Sequence, residues 1–172
     1  MVTLSAKVCL LGDYAVGKTS LVRRFVYNMF EDRYLSTIGV KVSRKVVALA
    51  RGDEIVELTL MIWDLAGSEE FDAVRASYLR GAMAGLIVCD LTQPASLATA
   101  TQYADQIRAV NPKASLALVA NKLDLAHRRA LSEEDARAMA RTLNAPCLFT
   151  SAKTGEGVDE AFRHLGRLAI GS

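Results

Sequence analysis

Apolar residues in this chain fall into short runs, and the runs alternate with stretches where they recur every three or four positions. "AKVCLLG" reads as a strand that leads into a glycine-containing loop, and the helix beyond it carries Leu21, Val22, Phe25 and Val26 on one face. "VKVSRKVVALA" and "EIVELTLMIWD" are β-rich and are separated by "RGDE", which predicts a hairpin. "GLIVCDL" and "SLALVANK" are continuously apolar, as strands buried on both faces are, and "APCLFTS" is a shorter run of the same kind. Helical periods lie between them. Pro94 suits the first position of a helix through "QPASLATATQYADQIRAV", and Ser132 with Asp135 has capping-box spacing ahead of Ala136, Met139, Ala140 and Leu143. A last helix presents Val158, Phe162, Leu165 and Ala169. Strand–helix alternation predicts an α/β fold: a mostly parallel six-stranded sheet, one antiparallel edge strand from the hairpin, and helices on both faces. Ligands of such folds bind at the carboxyl ends of the strands.

Composition narrows the picture only a little. The 172 residues suit one domain spanning 1–172, and 51% hydrophobic with 23% charged residues fits a globular chain. A net charge of +2 is too small to argue for a nucleic-acid or membrane partner, and none is expected. No apolar stretch approaches the roughly 18 residues that cross a bilayer. Val2 does not suit myristoylation, and "LAIGS" has no cysteine to prenylate. Either that anchor is not used or a tail that would carry it is not part of this sequence; a cytoplasmic monomer, with no lipid anchor in this chain, is expected. Cys9, Cys89 and Cys147 each lie in an apolar run without metal-ligand spacing, and read as buried thiols.

Chemistry collects at the strand ends. Gly12-x-x-x-x-Gly17-Lys18-Thr19 follows a strand and precedes a helix, the context a phosphate-binding loop requires. Loop N–H groups and the positive end of a helix suit tetrahedral phosphate. The candidate binders are Asp13, Tyr14, Ala15, Val16 and Gly17, then Lys18, Thr19 and Ser20; Lys18 would meet the terminal phosphates and Thr19 would ligate Mg²⁺. The plain alternative is a glycine-rich turn. Asn121-Lys122-x-Asp124 ends a buried strand. A carboxylate there can accept two hydrogen bonds from guanine's ring N–H and exocyclic amine, a donor pair that adenine lacks. A helix-capping turn is the alternative. "TSAKTG" ends the next strand, where Ser151, Ala152 and Lys153 would bring a backbone N–H to the guanine carbonyl.

Together these motifs resemble the Ras superfamily of small GTPases, closest to its Rab-like branch, over nearly the whole chain. The resemblance implies the small G-protein form of the P-loop NTPase fold, GTP/GDP and Mg²⁺ as ligands, and a GTP-hydrolysing switch. It implies that Phe30 stacks on the guanine edge and that Tyr34 lies near the nucleotide. It implies that Thr37 closes a first switch loop over the γ-phosphate and Mg²⁺, that Asp64 holds Mg²⁺ through water, and that the Gly67 amide senses the γ-phosphate. Gly67 would also free its loop to swing. The catalytic set is then Lys18, Thr37, Gly67 and Ser68, and the metal set Thr19, Thr37 and Asp64.

The chain departs from that family at two phosphate-side positions. Ser68 stands where glutamine usually orients the attacking water, and Tyr14 where a small residue is usual. A large ring there would crowd the γ-phosphate or exclude an arginine finger, typically worth about 10³–10⁵ in rate. Slow intrinsic hydrolysis is expected, unless Tyr34, Glu69 or the backbone positions the water. The alternative function is a GTP-loaded binding or scaffold module with negligible turnover; a P-loop kinase is weaker, for want of a lid segment. Effector, exchange-factor and GTPase-activating contacts are expected through Ile38, Val42, Trp63, Phe71 and Tyr78. Lys41 and Val42 replace the aspartate and phenylalanine usual in Rab proteins, and Trp63 and Tyr78 could instead pack in the core. The basic clusters "VRRF" and "AHRR" read as solvated faces.

Overall fold

A computed structural model describes residues 1–31, 39–67 and 72–171. The chain runs β1 (Val2–Leu11), α1 (Lys18–Tyr27), β2 (Val40–Arg51), β3 (Glu54–Leu65), α2 (Asp72–Tyr78), β4 (Ala84–Asp90), α3 (Pro94–Ala98), α4 (Ala100–Val110), β5 (Ser115–Asn121), α5 (Glu133–Leu143), β6 (Cys147–Phe149) and α6 (Val158–Ile170). One sheet is ordered β2-β3-β1-β4-β5-β6. Only β2 is antiparallel, paired with β3 from Val40 opposite Leu65 to Arg51 opposite Glu54. The remaining pairs are parallel. This is the mostly parallel six-stranded sheet with one antiparallel edge strand expected from the alternation, and it agrees with the P-loop NTPase fold that the resemblance implies.

Side-chain alternation along the strands builds two cores. Ala6, Val8 and Leu10 of β1 face one way, with Leu58, Leu60 and Ile62 of β3, under Leu21 and Phe25 of α1 and Phe162 and Leu165 of α6. Phe25 and Phe162 stack at 4.3 Å across that helix pair. Cys9 and Leu11 face the other way, under Tyr103 and Ile107 of α4 and Ala136 and Ala140 of α5. Every residue of β4 is buried, which is why its sequence shows no polar alternation. Burial pushes the Cys9 and Cys89 thiols up to about 12, so both act as small apolar side chains.

Two details depart from the sequence pattern. The segment predicted as one helix after Pro94 is two, α3 and α4, broken at Thr99. Thr99 ends α3 with ψ −5°, and its hydroxyl lies 3.2 Å from the Ser96 carbonyl and 2.9 Å from Asp13 Oδ2. The Thr99 hydroxyl thus meets one local acceptor, the Ser96 carbonyl, and one distant acceptor, the Asp13 carboxylate. Elsewhere Arg24, in the supposedly solvated "VRRF" face, donates from Nε to the Ala152 carbonyl at 2.8 Å and from Nη2 to the Lys153 carbonyl. The Ser132–Asp135 capping box forms with both of its reciprocal bonds, at 2.8 and 3.0 Å.

Candidate functional site at the carboxyl ends of the strands

The loop between β1 and α1 wraps around Lys18. Its ammonium, on a side chain only 7% exposed, donates to the Gly12 and Asp13 carbonyls at 2.8 Å each. Burial lowers its pKa to about 8, although Asp64 and Asp13 nearby favour the charge. Gly17 turns the loop into the helix at φ +103°, and a Cβ there would collide with the Asn121 amide. Thr19, one residue into α1, donates to Asp64 Oδ2 at 2.5 Å. Asp64 is the last residue but one of β3, only 1% exposed. Burial raises its pKa, against the Thr19 hydroxyl bond and the charges of Lys18, Lys41 and Arg23.

Asp64 Oδ1 is buried and has no hydrogen-bond partner among the described residues. A buried carboxylate oxygen left over beside a threonine hydroxyl fits a hard divalent cation, which takes one or two protein oxygens and completes its shell with phosphate and water. The donor set therefore suits Mg²⁺.

Gly67 is pressed onto the phosphate loop. A Cβ there would lie 2.5 Å from Asp13 C and Tyr14 N, and 2.6 Å from the Gly12 carbonyl oxygen. Glycine is required at this point for close backbone approach, whereas the sequence reading emphasised freedom to swing. Tyr14 projects outward, 57% exposed.

The base-side residues are tied to the same loop. Asn121 Nδ2 donates to the Val16 carbonyl at 3.0 Å, and its Oδ1 accepts from Thr150 Oγ1 at 3.0 Å. Lys122, at φ +69°, donates to the Ala15 carbonyl at 3.0 Å and pairs with Asp90 at 2.9 Å. Asp124 Oδ1 accepts from Ser151 Oγ at 2.8 Å, and the Thr154 N–H donates to that same Ser151 oxygen. Ala152 is buried, while Phe30 is half-buried against the α1–α6 core. Lys18, Thr19, Asp64, Gly67, Asn121, Lys122, Asp124 and Ser151 thus converge on one rim of the sheet.

Sequence reasoning missed four contributors to this rim. Asp90 holds Lys122, and its signal was present: like Asp64, it is a carboxylate ending an apolar strand. Thr99 and Tyr103 hold the Asp13 carboxylate at 2.9 and 2.8 Å. Arg75 of α2, 4% exposed, donates to the Ala66 carbonyl at 3.2 Å and lies 5.3 Å over the Tyr103 ring. Nothing local in the sequence marks the last three.

The model of the Ras family matches residues 7–170. The chain belongs to the Ras family. Its relatives place it among the Rab-like small GTPases. It is 41% identical over 169 residues to GTP-binding protein ypt5 of Schizosaccharomyces pombe, covering 97% of this chain and 79% of that one. It is 40% identical to GTP-binding protein YPTM1 of Zea mays, covering 91% and 74%. Ras-related protein Rab-21 of Geodia cydonium is 37% identical, with 96% and 71% covered.

In this Rab-like GTPase Trp63 and Tyr78 are both half-buried, with ring centroids 6.3 Å apart. Lys7 Nζ lies 3.7 Å over the Trp63 ring. Val42, Trp63's cross-strand neighbour, is 44% exposed. The pair therefore packs against the core on one side and offers an edge beside Val42 on the other. Tyr34, Thr37, Ile38, Ser68, Glu69 and Phe71 lie outside the described residues. Among the described residues, no helix is long and apolar enough to cross a membrane.

Proposed function

We propose that this Rab-like switch binds GTP and GDP with Mg²⁺ in the rim pocket and hydrolyses GTP slowly. The observation that carries the reading is the conjunction of Lys18 with the Thr19–Asp64 pair on one side and Asn121, Asp124 and Ser151 on the other, stitched together through Val16 and Ala15. Phosphates would lie against the loop N–H groups and Lys18, and guanine against Asp124 and the backbone of Ala152 and Lys153 beside Phe30. Mg²⁺, held by Thr19, Asp64 and Thr37, would supply charge neutralisation of the phosphates when bound. The protein's own part is positioning: the loop fixes the phosphates, and Gly67 brings the second switch against them.

Ser68 is too short to orient water as a glutamine does, and Tyr14 stands exposed on the rim where an activating protein's arginine would enter. Both favour low turnover. Effectors would read nucleotide state beside Val42, Trp63 and Tyr78, with Ile38 and Phe71 contributing from the switches. Residues 1–172 would act as one domain and as a monomer. Single-turnover hydrolysis of bound GTP tests the reading. Ser68→Gln is expected to raise the rate by about tenfold or more. A wild-type rate that Ser68→Gln leaves unchanged or lowers would overturn slow hydrolysis through Ser68. Tyr14 also favours a second reading, a GTP-loaded binding module: nucleotide extracted from purified protein would then be mostly GTP, and mostly GDP if the chain turns over.

A further inference from the structure

Asp13 is an anionic residue inside a loop built for anions. Its carbonyl oxygen receives Lys18 at 2.8 Å, yet its carboxylate is committed elsewhere. Oδ2 accepts from Thr99 Oγ1 at 2.9 Å and Oδ1 from Tyr103 OH at 2.8 Å. The two hydroxyls stand four residues apart, one helical turn, so a single helix face presents both. The break between α3 and α4 falls at Thr99 itself, and Tyr103 is buried in the core with Arg75 over its ring. A rigid framework therefore clamps both oxygens of this carboxylate.

We propose that Thr99 and Tyr103 are positioning residues for nucleotide binding, which act through Asp13 by holding its carboxylate on the helix side of the phosphate loop. This rests on the reading of the rim as a nucleotide site. Lys18 is close enough to Asp13 for the carboxylate to favour its charge. Released from the hydroxyls, the carboxylate would compete with phosphate for the lysine and repel the nucleotide. Clamped, it leaves Lys18 bonded to main-chain carbonyls that polyphosphate can displace. The clamp also links α4 to the loop backbone against which Gly67 is packed.

The test uses the full chain stripped of nucleotide, with fluorescently labelled GTP as probe. Thr99→Val with Tyr103→Phe is expected to weaken GTP binding by about tenfold, as losing two hydrogen bonds to a charged group would. Adding Asp13→Asn to that pair is expected to recover affinity to within about threefold of wild type, because the misdirected charge is gone. A purely structural role for the hydroxyls predicts no recovery. Unchanged affinity in the double variant, or no recovery with Asp13→Asn, overturns the inference while wild-type binding leaves the nucleotide site standing. Wild-type protein that binds no guanine nucleotide overturns both. Should the double variant fail to fold, Tyr103→Phe alone carries the same comparison. It keeps the ring under Arg75, and is expected to lose about threefold in affinity and to regain it with Asp13→Asn.

Discussion

Lys18 and Asp64 bring opposite charges into one buried corner, and burial works against both. For Lys18 the sign follows from proton counts. Its ordinary value is 10.5 and burial brings it to about 8, so between those values the unfolded chain holds more protons. Nucleotide-free protein should gain stability as pH rises through that window, while below about pH 8 the full penalty of a buried ammonium persists. Polyphosphate reverses the balance by favouring the ammonium. Nucleotide binding near pH 8.5 should therefore take up a proton, and affinity should fall as pH climbs further. Calorimetry in two buffers of different ionisation enthalpy measures the uptake, and equal heats would contradict it. Asp64 gives the complementary prediction. Its unpartnered Oδ1 penalises the metal-free protein, so Asp64→Asn should raise the melting temperature of nucleotide-free protein by about 2–4 °C. In wild type, removing Mg²⁺ with a chelator should speed GDP release by about tenfold or more, and the asparagine variant should release GDP fast with or without chelator. Stopped-flow release of labelled GDP checks both arms.

At the scale of elements, what the sequence made legible was what local rules control. Six strands, the hairpin, the capping box and the phosphate loop each follow from period, turn chemistry or cap residues lying within a few positions of one another. The split at Thr99 did not follow, because threonine is tolerated in helices and one of the two oxygens its hydroxyl meets here belongs to Asp13, 86 residues away. Arg24 was illegible for the same reason: its acceptors Ala152 and Lys153 lie more than a hundred positions along the chain. Among the site residues, Lys18, Thr19, Asp64, Asn121 and Asp124 declared themselves by motif, whereas Tyr103 and Arg75 looked like ordinary helix positions. Arg24 now has a measurable consequence. It ties α1 to the loop after β6, and it also donates to Asn28 Oδ1 at 3.1 Å. Arg24→Ala should loosen that loop and speed GDP release by about three- to tenfold, with a fall in melting temperature of only about 2–4 °C. Hydrogen exchange should quicken in residues 151–155 and not in α4. Unchanged release would mean that the loop is held without Arg24.

Across the whole molecule, the phosphate half and the base half of the rim are not independent. Asn121 reaches from β5 to the Val16 carbonyl, and Lys122 spans from Asp90 at the end of β4 to the Ala15 carbonyl. Each half therefore braces the other, and a ligand filling both should stabilise the fold as one unit. At a thousandfold excess over its dissociation constant, a ligand that binds only folded protein adds about 4 kcal/mol. For a chain of this length that amounts to a rise of about 8–16 °C in melting temperature. GDP with Mg²⁺ should produce a shift in that range. ADP with Mg²⁺ fills only the phosphate half and leaves Asp124 facing a base with no matching donors, so its shift at equal concentration should be under about 2 °C. Asp124→Asn should erase most of the difference by removing the carboxylate that separates the bases. If instead ADP matched GDP in wild type, the base half of the rim would have no selective role, and the contacts at Asn121 and Lys122 would serve only to hold the loops.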